Sequence, residues 1–173
     1  MYTPDGTLTP NKAKVDLENM MAESNAQADA EASKSWYTGL LDQVVKEMIR
    51  VKAVTGTAVQ ASPVWMVPNE MLIAKVWGVT NESDFIWTIS VDKLISDYIA
   101  GHLAATPRDV ARHFSLKWQM DADRLASFGQ DAAANADVDE RMKEYSGKLI
   151  QYAETLYDLS NRDHVWEERQ SFA

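Results

Sequence analysis

Apolar residues recur at every third or fourth position in three stretches of the chain, which is the spacing of an amphipathic helix. The best specified stretch is 106–128, with apolar members Val110, Ala111, Phe114, Trp118, Ala122 and Leu125. Thr106 and Asp109 are spaced to cap its start reciprocally, and Pro107 suits the first helical position because its missing N–H costs nothing there. Gly129 is expected to end this helix.

A second amphipathic pattern predicts a buried helix over residues 36–52. Its apolar side includes Tyr37, Leu41, Val44, Met48 and Val51. Residues 22–35, just before it, are almost all Ala, Glu, Asp, Asn, Gln and Ser. Alanine favours helix, but almost nothing in this stretch can anchor to a core. Residues 1–35 are therefore expected to form a flexible or solvated helical arm.

The third pattern is a heptad seam near the C-terminus, with spacings that alternate between four and three. Its members are Val138, Met142, Tyr145, Leu149, Tyr152, Leu156 and Leu159. An isolated helix cannot bury this seam, so it needs a partner surface. Three partners stay open: the 36–52 helix of the same chain, a second copy in a homodimer, or another protein. Residues 129–173 are interpreted as a linker followed by this helix, packed on the core or on a second chain.

The period changes to that of β-strands between the first two helices. Residues 71–79 are dense in β-formers and residues 85–91 alternate, with a polar turn between them, so the two segments are expected to form an antiparallel hairpin over about 71–91. Pro63 and Pro68 confine residues 64–67 to an edge strand or an extended segment. Residues 92–101 are interpreted as a short helix capped by Asp92.

These elements predict an α+β fold. A small antiparallel sheet, built on the hairpin, is covered on one face by the 36–52 and 106–128 helices, and a long C-terminal heptad helix follows. Residues 36–128 would form the core domain.

Composition and charge limit the classes of function. The 173 residues include no cysteine, which excludes disulfides, thiolate zinc ligands and cysteine nucleophiles. The net charge of −9 argues against nucleic-acid binding. The 106–128 segment is the only net basic one, with four basic residues against three acidic ones. No apolar run suits a membrane span and the N-terminus lacks a signal-peptide pattern, so no membrane contact and a cytoplasmic location are expected.

The run Ala-Arg-His-Phe-Ser-Leu-Lys-Trp-Gln at 111–119 follows a strand with Trp87 at its centre. This arrangement resembles a family of short, uncharacterised bacterial proteins classed only as a domain of unknown function. In that family a Trp-bearing strand is likewise followed by an Ala-Arg-Asp-type helix start and a Phe-Ser-Leu-Lys-Trp-Gln run. The resemblance covers about residues 36–128 and implies no activity.

The start of the 106–128 helix is a candidate anion site. Its free N–H groups and positive dipole end attract negative charge, and Arg108, Arg112 and His113 could add to the attraction. In the alternative interpretation, Asp109 already satisfies the dipole and the arginines pair with the acidic surface.

Aromatic residues provide candidates for an interface. Trp87 and Trp118 are expected in the core, whereas Trp65 and Trp77 could form a protein-binding surface. The seam adds three further interface candidates, Tyr145, Leu149 and Tyr152.

Metal binding and catalysis have little support. His164 and Glu168 are spaced to share a metal beside Asp163 and Glu167, but a solvated acidic face is the favoured interpretation, so no metal and no cofactor are expected. The sequence has no nucleophile elbow, zincin motif or dinucleotide fingerprint, and Ser115 and His113 point about 100° apart on a helix. The favoured hypothesis is a non-enzymatic protein-interaction module. The alternative is a small-molecule or anion-binding protein, possibly an enzyme, that uses the start of the 106–128 helix.

Overall fold

The computed structural model describes residues 10–56, 58–91, 95–131, 136–167 and 172. The elements in chain order are α1 (Pro10–Arg50), β1 (Val59–Val67), β2 (Met71–Gly78), β3 (Ile86–Val91), β4 (Ile95–Ala100), a 3₁₀ turn (Gly101–Leu103), α2 (Pro107–Asp131), α3 (Ala136–Ser160) and α4 (Asp163–Glu167). The predicted α+β class with an antiparallel sheet is confirmed.

The sheet is an antiparallel meander in the order β1-β2-β3-β4. The predicted hairpin is its centre, with Ile73 opposite Ile89. β1 lies at an edge of the sheet, as Pro63 within it favours, and its pairing with β2 shifts register between Pro63 and Trp65. Proline cannot donate to the ladder, so an irregular edge strand is where it fits.

The helix predicted over residues 92–101 is wrong, because Ile95–Ala100 forms β4 and pairs with β3. Asp92, its expected cap, lies outside the described residues. The error has a simple cause: Ile95 and Ile99 are four positions apart, a spacing that puts them on one face of a helix and equally on one face of a strand. The unpaired edge of β3 settles the choice.

The sheet is covered on both faces, which corrects the prediction that both helices lie on one face. On one face, Ile73, Ile89 and Ile99 pack with the apolar stripe of α2 and with α3. On the other face, Leu72, Ala74 and Val76 pack with α1. Residues 71–74 of β2 are buried at every position, which is typical of a strand covered on both sides. Trp87 and Trp118 are core residues, as expected.

α1 is a single helix of 41 residues. Its second half packs on the sheet through Tyr37, Leu40, Val44 and Met48. Its first half does not reach the core, since every side chain from 17 to 32 is exposed. We call residues 17–35 the α1 arm. Residues 1–9 of the predicted arm lie outside the described residues.

α3 packs against α2 and not against the 36–52 part of α1, which lies on the opposite face of the sheet. The buried line of α3 comprises Ser146, Leu149, Ala153, Leu156 and Ser160. It shares only the two leucines with the predicted seam, because small residues occupy the positions nearest to α2. The Ser146 hydroxyl donates to the carbonyl of Ala122 on α2 over 3.1 Å, which shows how closely the two backbones approach.

α2 begins as predicted and ends later. The amide of Asp109 donates to the Thr106 hydroxyl and the amide of Thr106 donates to the Asp109 carboxylate, both over 3.2 Å, which confirms the reciprocal cap. Gly129 does not end the helix, which continues to Asp131. Glycine permits a left-handed residue but does not impose one, and its cost inside a helix is only about 1 kcal/mol.

Candidate functional site

The outward face of α2 carries an exposed row of large side chains. The row repeats every four residues and comprises Arg112, Leu116, Met120, Arg124 and Phe128, which we call the α2 ridge. The three apolar members are between 55% and 65% exposed. The inward stripe of α2 is already in the core, so the ridge is surplus apolar surface. Single exposed apolar residues are common, whereas larger groups of exposed apolar side chains are typical of interaction surfaces.

A cleft of about 420 Å³ lies behind the ridge, between α2, β4 and α3. We call it the α2–β4 cleft. Two smaller hollows adjoin it along α2, of about 370 and 340 Å³. Arg124 lines all three, and its side chain is 68% exposed. The ridge and the cleft therefore form one continuous surface centred on Arg124.

A charge network crosses the floor of this cleft. The Lys117 ammonium donates to Asp97 over 2.7 Å and to Asp121 over 2.8 Å. The buried indole of Trp118 donates to the same oxygen of Asp97 over 3.0 Å. Asp97 lies two positions from both Ile95 and Ile99, so the three side chains point to the same face of β4. That face is the one packed against α2, and Asp97 therefore faces α2. One carboxylate of the sheet thus anchors two consecutive residues of α2.

The network shifts the pKa of two groups. Burial lowers the pKa of Lys117, but the hydrogen bonds and charges of Asp121 and Asp97 outweigh burial, so the net pKa is raised. Burial raises the pKa of the Tyr145 phenol, the charge of Asp97 adds to this, Lys117 opposes it, and Asp121 adds to it again. Both groups therefore stay protonated at neutral pH.

The arrangement suits binding better than catalysis. A lysine acts as a base or nucleophile when its pKa is lowered, whereas Lys117 is held as an ammonium by two carboxylates. Arg124 is less engaged, since its nearest contact with Asp121 measures 3.7 Å. It is an exposed cation beside apolar side chains, which is a frequent composition at protein interfaces.

The three residues of the predicted anion site engage different partners. The guanidinium of Arg108 donates to the Ser160 carbonyl over 2.7 Å and to Asp163 over 2.6 Å, which ties α2 to the end of α3. Arg112 lies 3.4 Å from Asp109, the capping residue. His113 borders the hollow of about 370 Å³ on the ridge side. The cap carboxylate thus occupies the helix start, and the anion site stays a prediction.

Trp65 packs against α4. It is buried, its ring stacks on Trp166 with centroids 4.5 Å apart, and its indole donates to the carbonyl of Val165 over 3.2 Å. These contacts are all within the chain. They fasten α4 to β1, so Trp65 offers little surface to a partner.

The other interface candidates differ in exposure. Leu149 is buried and Tyr152 packs partly buried against the core. Trp77 is half-buried near the end of β2. Tyr145 is exposed and lines the α2–β4 cleft. Of the predicted residues, it is Tyr145 that the fold places beside the α2 ridge.

Metal ligands do not converge in the part of the chain that the structure describes, where no group of three or more His, Asp or Glu side chains could hold an ion. Asp163 pairs with Arg108, and Glu168 lies outside the described residues. Among the helices of that same part, none has the length and apolar character needed to cross a membrane.

Most residues of this surface are not among those predicted from the sequence. Leu116 and Met120 lie four positions apart and outside the inward stripe of α2. That row was the available signal. No local sequence pattern indicates the contacts of Asp97, because its partners lie about twenty residues away along the chain.

A family model described as a domain of unknown function (DUF4826) matches residues 30–166. The predicted resemblance to an uncharacterised domain family is thereby confirmed, and the match extends beyond 36–128 to include α3. No curated protein and no solved structure matches the chain.

Proposed function

The chain belongs to the DUF4826 family of unknown function, and we propose that it is a non-enzymatic protein-interaction module whose contact surface is the α2 ridge. The observation that carries the proposal is the exposed apolar row of Leu116, Met120 and Phe128. Leu116 and Met120 lie between Arg112 and Arg124 along this row, and Phe128 follows Arg124. Tyr145 extends this surface across the mouth of the cleft.

The ridge has the properties of a preorganised contact surface. α2 is fixed at its start by the Thr106–Asp109 cap and at its middle by Asp97, so a partner does not need to order it. Burying one leucine, methionine or phenylalanine side chain contributes roughly 1.5–3 kcal/mol. Three such anchors at helical spacing fit the recognition of a helix or groove on a partner.

A capture experiment with two matched variants tests this proposal. Met120→Glu places a charge at the centre of the ridge. Ile49→Glu makes the same change at another exposed apolar position, on α1 and therefore on the opposite face of the sheet. Each protein is immobilised and exposed to lysate of its native cells, and retained proteins are quantified. Folding of each variant is checked by circular dichroism.

The expected result is a protein that the wild type and Ile49→Glu retain in stoichiometric amounts and that Met120→Glu loses. If retention is the same on all three baits, or if nothing is retained in stoichiometric amounts, the ridge is not a contact surface for another protein. A self-association through the ridge would be detected separately by sedimentation.

A small-molecule or anion-binding protein is the second candidate. It is supported by the hollow of about 370 Å³ that His113 and Arg124 border. Thermal shift against a panel of phosphates and carboxylates tests it. A shift that Arg124→Ala removes would support the hollow, and one that Arg112→Ala removes would support the helix start. No shift with any ligand would exclude this function.

A further inference from the structure

The α1 arm is a helix without a core. Each side chain from 17 to 32 is exposed, and Leu17, Met20 and Met21 are between 57% and 67% exposed. Five alanines support the helix locally, but helices in proteins gain most of their stability from packing an apolar face. The cluster of one leucine and two methionines within two turns is therefore surface that calls for a partner.

The arm and the α2 ridge are complementary in charge. The arm carries four carboxylates against one ammonium: Glu18, Glu23, Asp29 and Glu31 against Lys34. The ridge carries Arg112 and Arg124, each at least half exposed. Both surfaces also present exposed leucine and methionine. Apolar side chains on each surface would thus meet at the centre while opposite charges meet at the rim, as in specific protein interfaces.

The two surfaces also match in spacing. The ridge repeats every four residues, and on the arm Leu17, Met21, Asn25 and Asp29 form a row with the same repeat. Rows of this kind on two helices interdigitate in the commonest mode of helix packing. The arm is long enough for this contact, since residues 17–35 span about 28 Å at 1.5 Å per residue.

The arm does not serve the ridge of its own chain. α1 packs on the face of the sheet formed by Leu72, Ala74 and Val76, whereas α2 packs on the opposite face. Every arm side chain from 17 to 32 and every ridge side chain is exposed, so the two surfaces do not contact each other within one chain. The matching ridge is therefore that of another copy.

We propose that two copies of this chain form a symmetric dimer in which the α1 arm of each lies on the α2 ridge of the other. Reciprocal exchange produces the contact twice, as two-fold symmetry requires. The proposal rests on the proposed function, because it uses the same surface and names a second copy as its partner.

Sedimentation equilibrium over a range of protein concentrations is the first test. The wild type is expected to dimerise, more weakly at high salt because exposed charge pairs are screened. Met21→Glu on the arm and Met120→Glu on the ridge should each raise the dissociation constant at least about tenfold, because each removes one buried side chain from both of the symmetric contacts. Ile49→Glu is the matched control and should leave it unchanged.

Disulfide trapping is the second test, and the absence of native cysteine makes it clean. Chains carrying Met21→Cys are mixed with chains carrying Met120→Cys and oxidised. The mixed pair should form a disulfide-linked dimer faster than Met21→Cys mixed with Ile49→Cys. Equal rates in the two mixtures would overturn the arm-on-ridge contact.

The proposal fails if the wild type is a monomer at every concentration at low salt, or if both glutamate variants dimerise as the wild type does. These failures are distinct from failure of the proposed function. A monomer whose Met120→Glu variant still loses a captured protein would retain the ridge as an interaction surface for another partner. A substitution at Met120 that alters neither dimerisation nor capture would overturn both proposals.

Discussion

Replacing Asp97 by alanine removes the carboxylate that joins β4 to α2. One oxygen of Asp97 accepts from the Trp118 indole over 3.0 Å and from the Lys117 ammonium over 2.7 Å. Trp118 is only 1% exposed, and in the variant its buried indole N–H loses the carboxylate that accepts from it. We therefore expect Asp97→Ala to destabilise the fold mainly through the tryptophan.

The magnitude can be estimated from these two contacts. A buried donor left without a partner costs about 1–3 kcal/mol. The pair with Lys117 adds only about 0–1 kcal/mol, because that side chain is partly exposed and keeps Asp121 as a second partner. The expected loss in the free energy of unfolding is about 1–4 kcal/mol.

Urea denaturation, followed by tryptophan fluorescence and circular dichroism, measures this loss. The midpoint should fall without a change in the slope of the transition. Asp97→Asn is the matched variant, since its amide oxygen can still accept from the indole, and it should cost about half as much or less. Asp123→Ala, at an exposed position on α2, should stay within about 0.5 kcal/mol of the wild type.

Two results would refute the reasoning. If Asp97→Ala costs less than about 0.5 kcal/mol, the carboxylate does not hold the indole in solution. If Asp97→Asn costs as much as Asp97→Ala, the charge of the carboxylate dominates and the bond to the indole is secondary.

Three further predictions concern pH, a close backbone approach and a clamp between helices. Folding raises the pKa of Lys117 and of Tyr145, so the protonated form of each group stabilises the fold. This stability is present at neutral pH and is lost as the pH rises above about 10. Urea midpoints of unfolding that stay constant above that pH would contradict this prediction. Gly101→Ala should destabilise the fold by about 1–3 kcal/mol, because the new Cβ would lie 2.5 Å from the backbone carbonyl oxygen of Phe85. Gly147→Ala, at an open helical position, should instead stabilise it by about 0.5–1 kcal/mol. If both changes shift the free energy of unfolding in the same direction in urea denaturation, the structure is contradicted. Arg108→Ala should lower the thermal midpoint of unfolding, through a loss of about 1–2 kcal/mol in the free energy of unfolding. Arg112→Ala removes only an exposed ion pair with Asp109 and should have little effect. Equal shifts in the two variants would show that the contact of Arg108 with α3 contributes nothing to stability.

Features that depend on near neighbours along the chain can be predicted from the sequence alone. The cap of α2 involves residues three positions apart, and the hairpin of β2 and β3 follows from alternation around a short polar turn. The edge position of β1 follows from Pro63, which has no N–H to donate to a second neighbouring strand. In each case the interaction that fixes the structure lies within one segment or between adjacent ones.

Tertiary structure decided where the spacing was ambiguous. Ile95 and Ile99 suit a helix and a strand equally, and pairing with β3 selected the strand. The three partners predicted for the seam of α3 do not include α2, which is the helix that α3 packs against, because the 36–52 helix packs on the opposite face of the sheet. The buried residues of α3 include Ser146 and Ala153, which lie outside the predicted seam. Their small side chains let α2 and α3 approach closely.

The candidate site depends on both levels. Its apolar row is a periodic pattern that can be read along α2 once the inward stripe is assigned. The polar floor of the cleft cannot be read from a periodic pattern, because Asp97 and Lys117 belong to separate elements and lie about twenty residues apart. No local pattern encodes which strand residue will face which helix residue. Only the packing of α2 and α3 on the sheet brings the carboxylate, the ammonium and the indole into contact, and leaves the α2 ridge exposed.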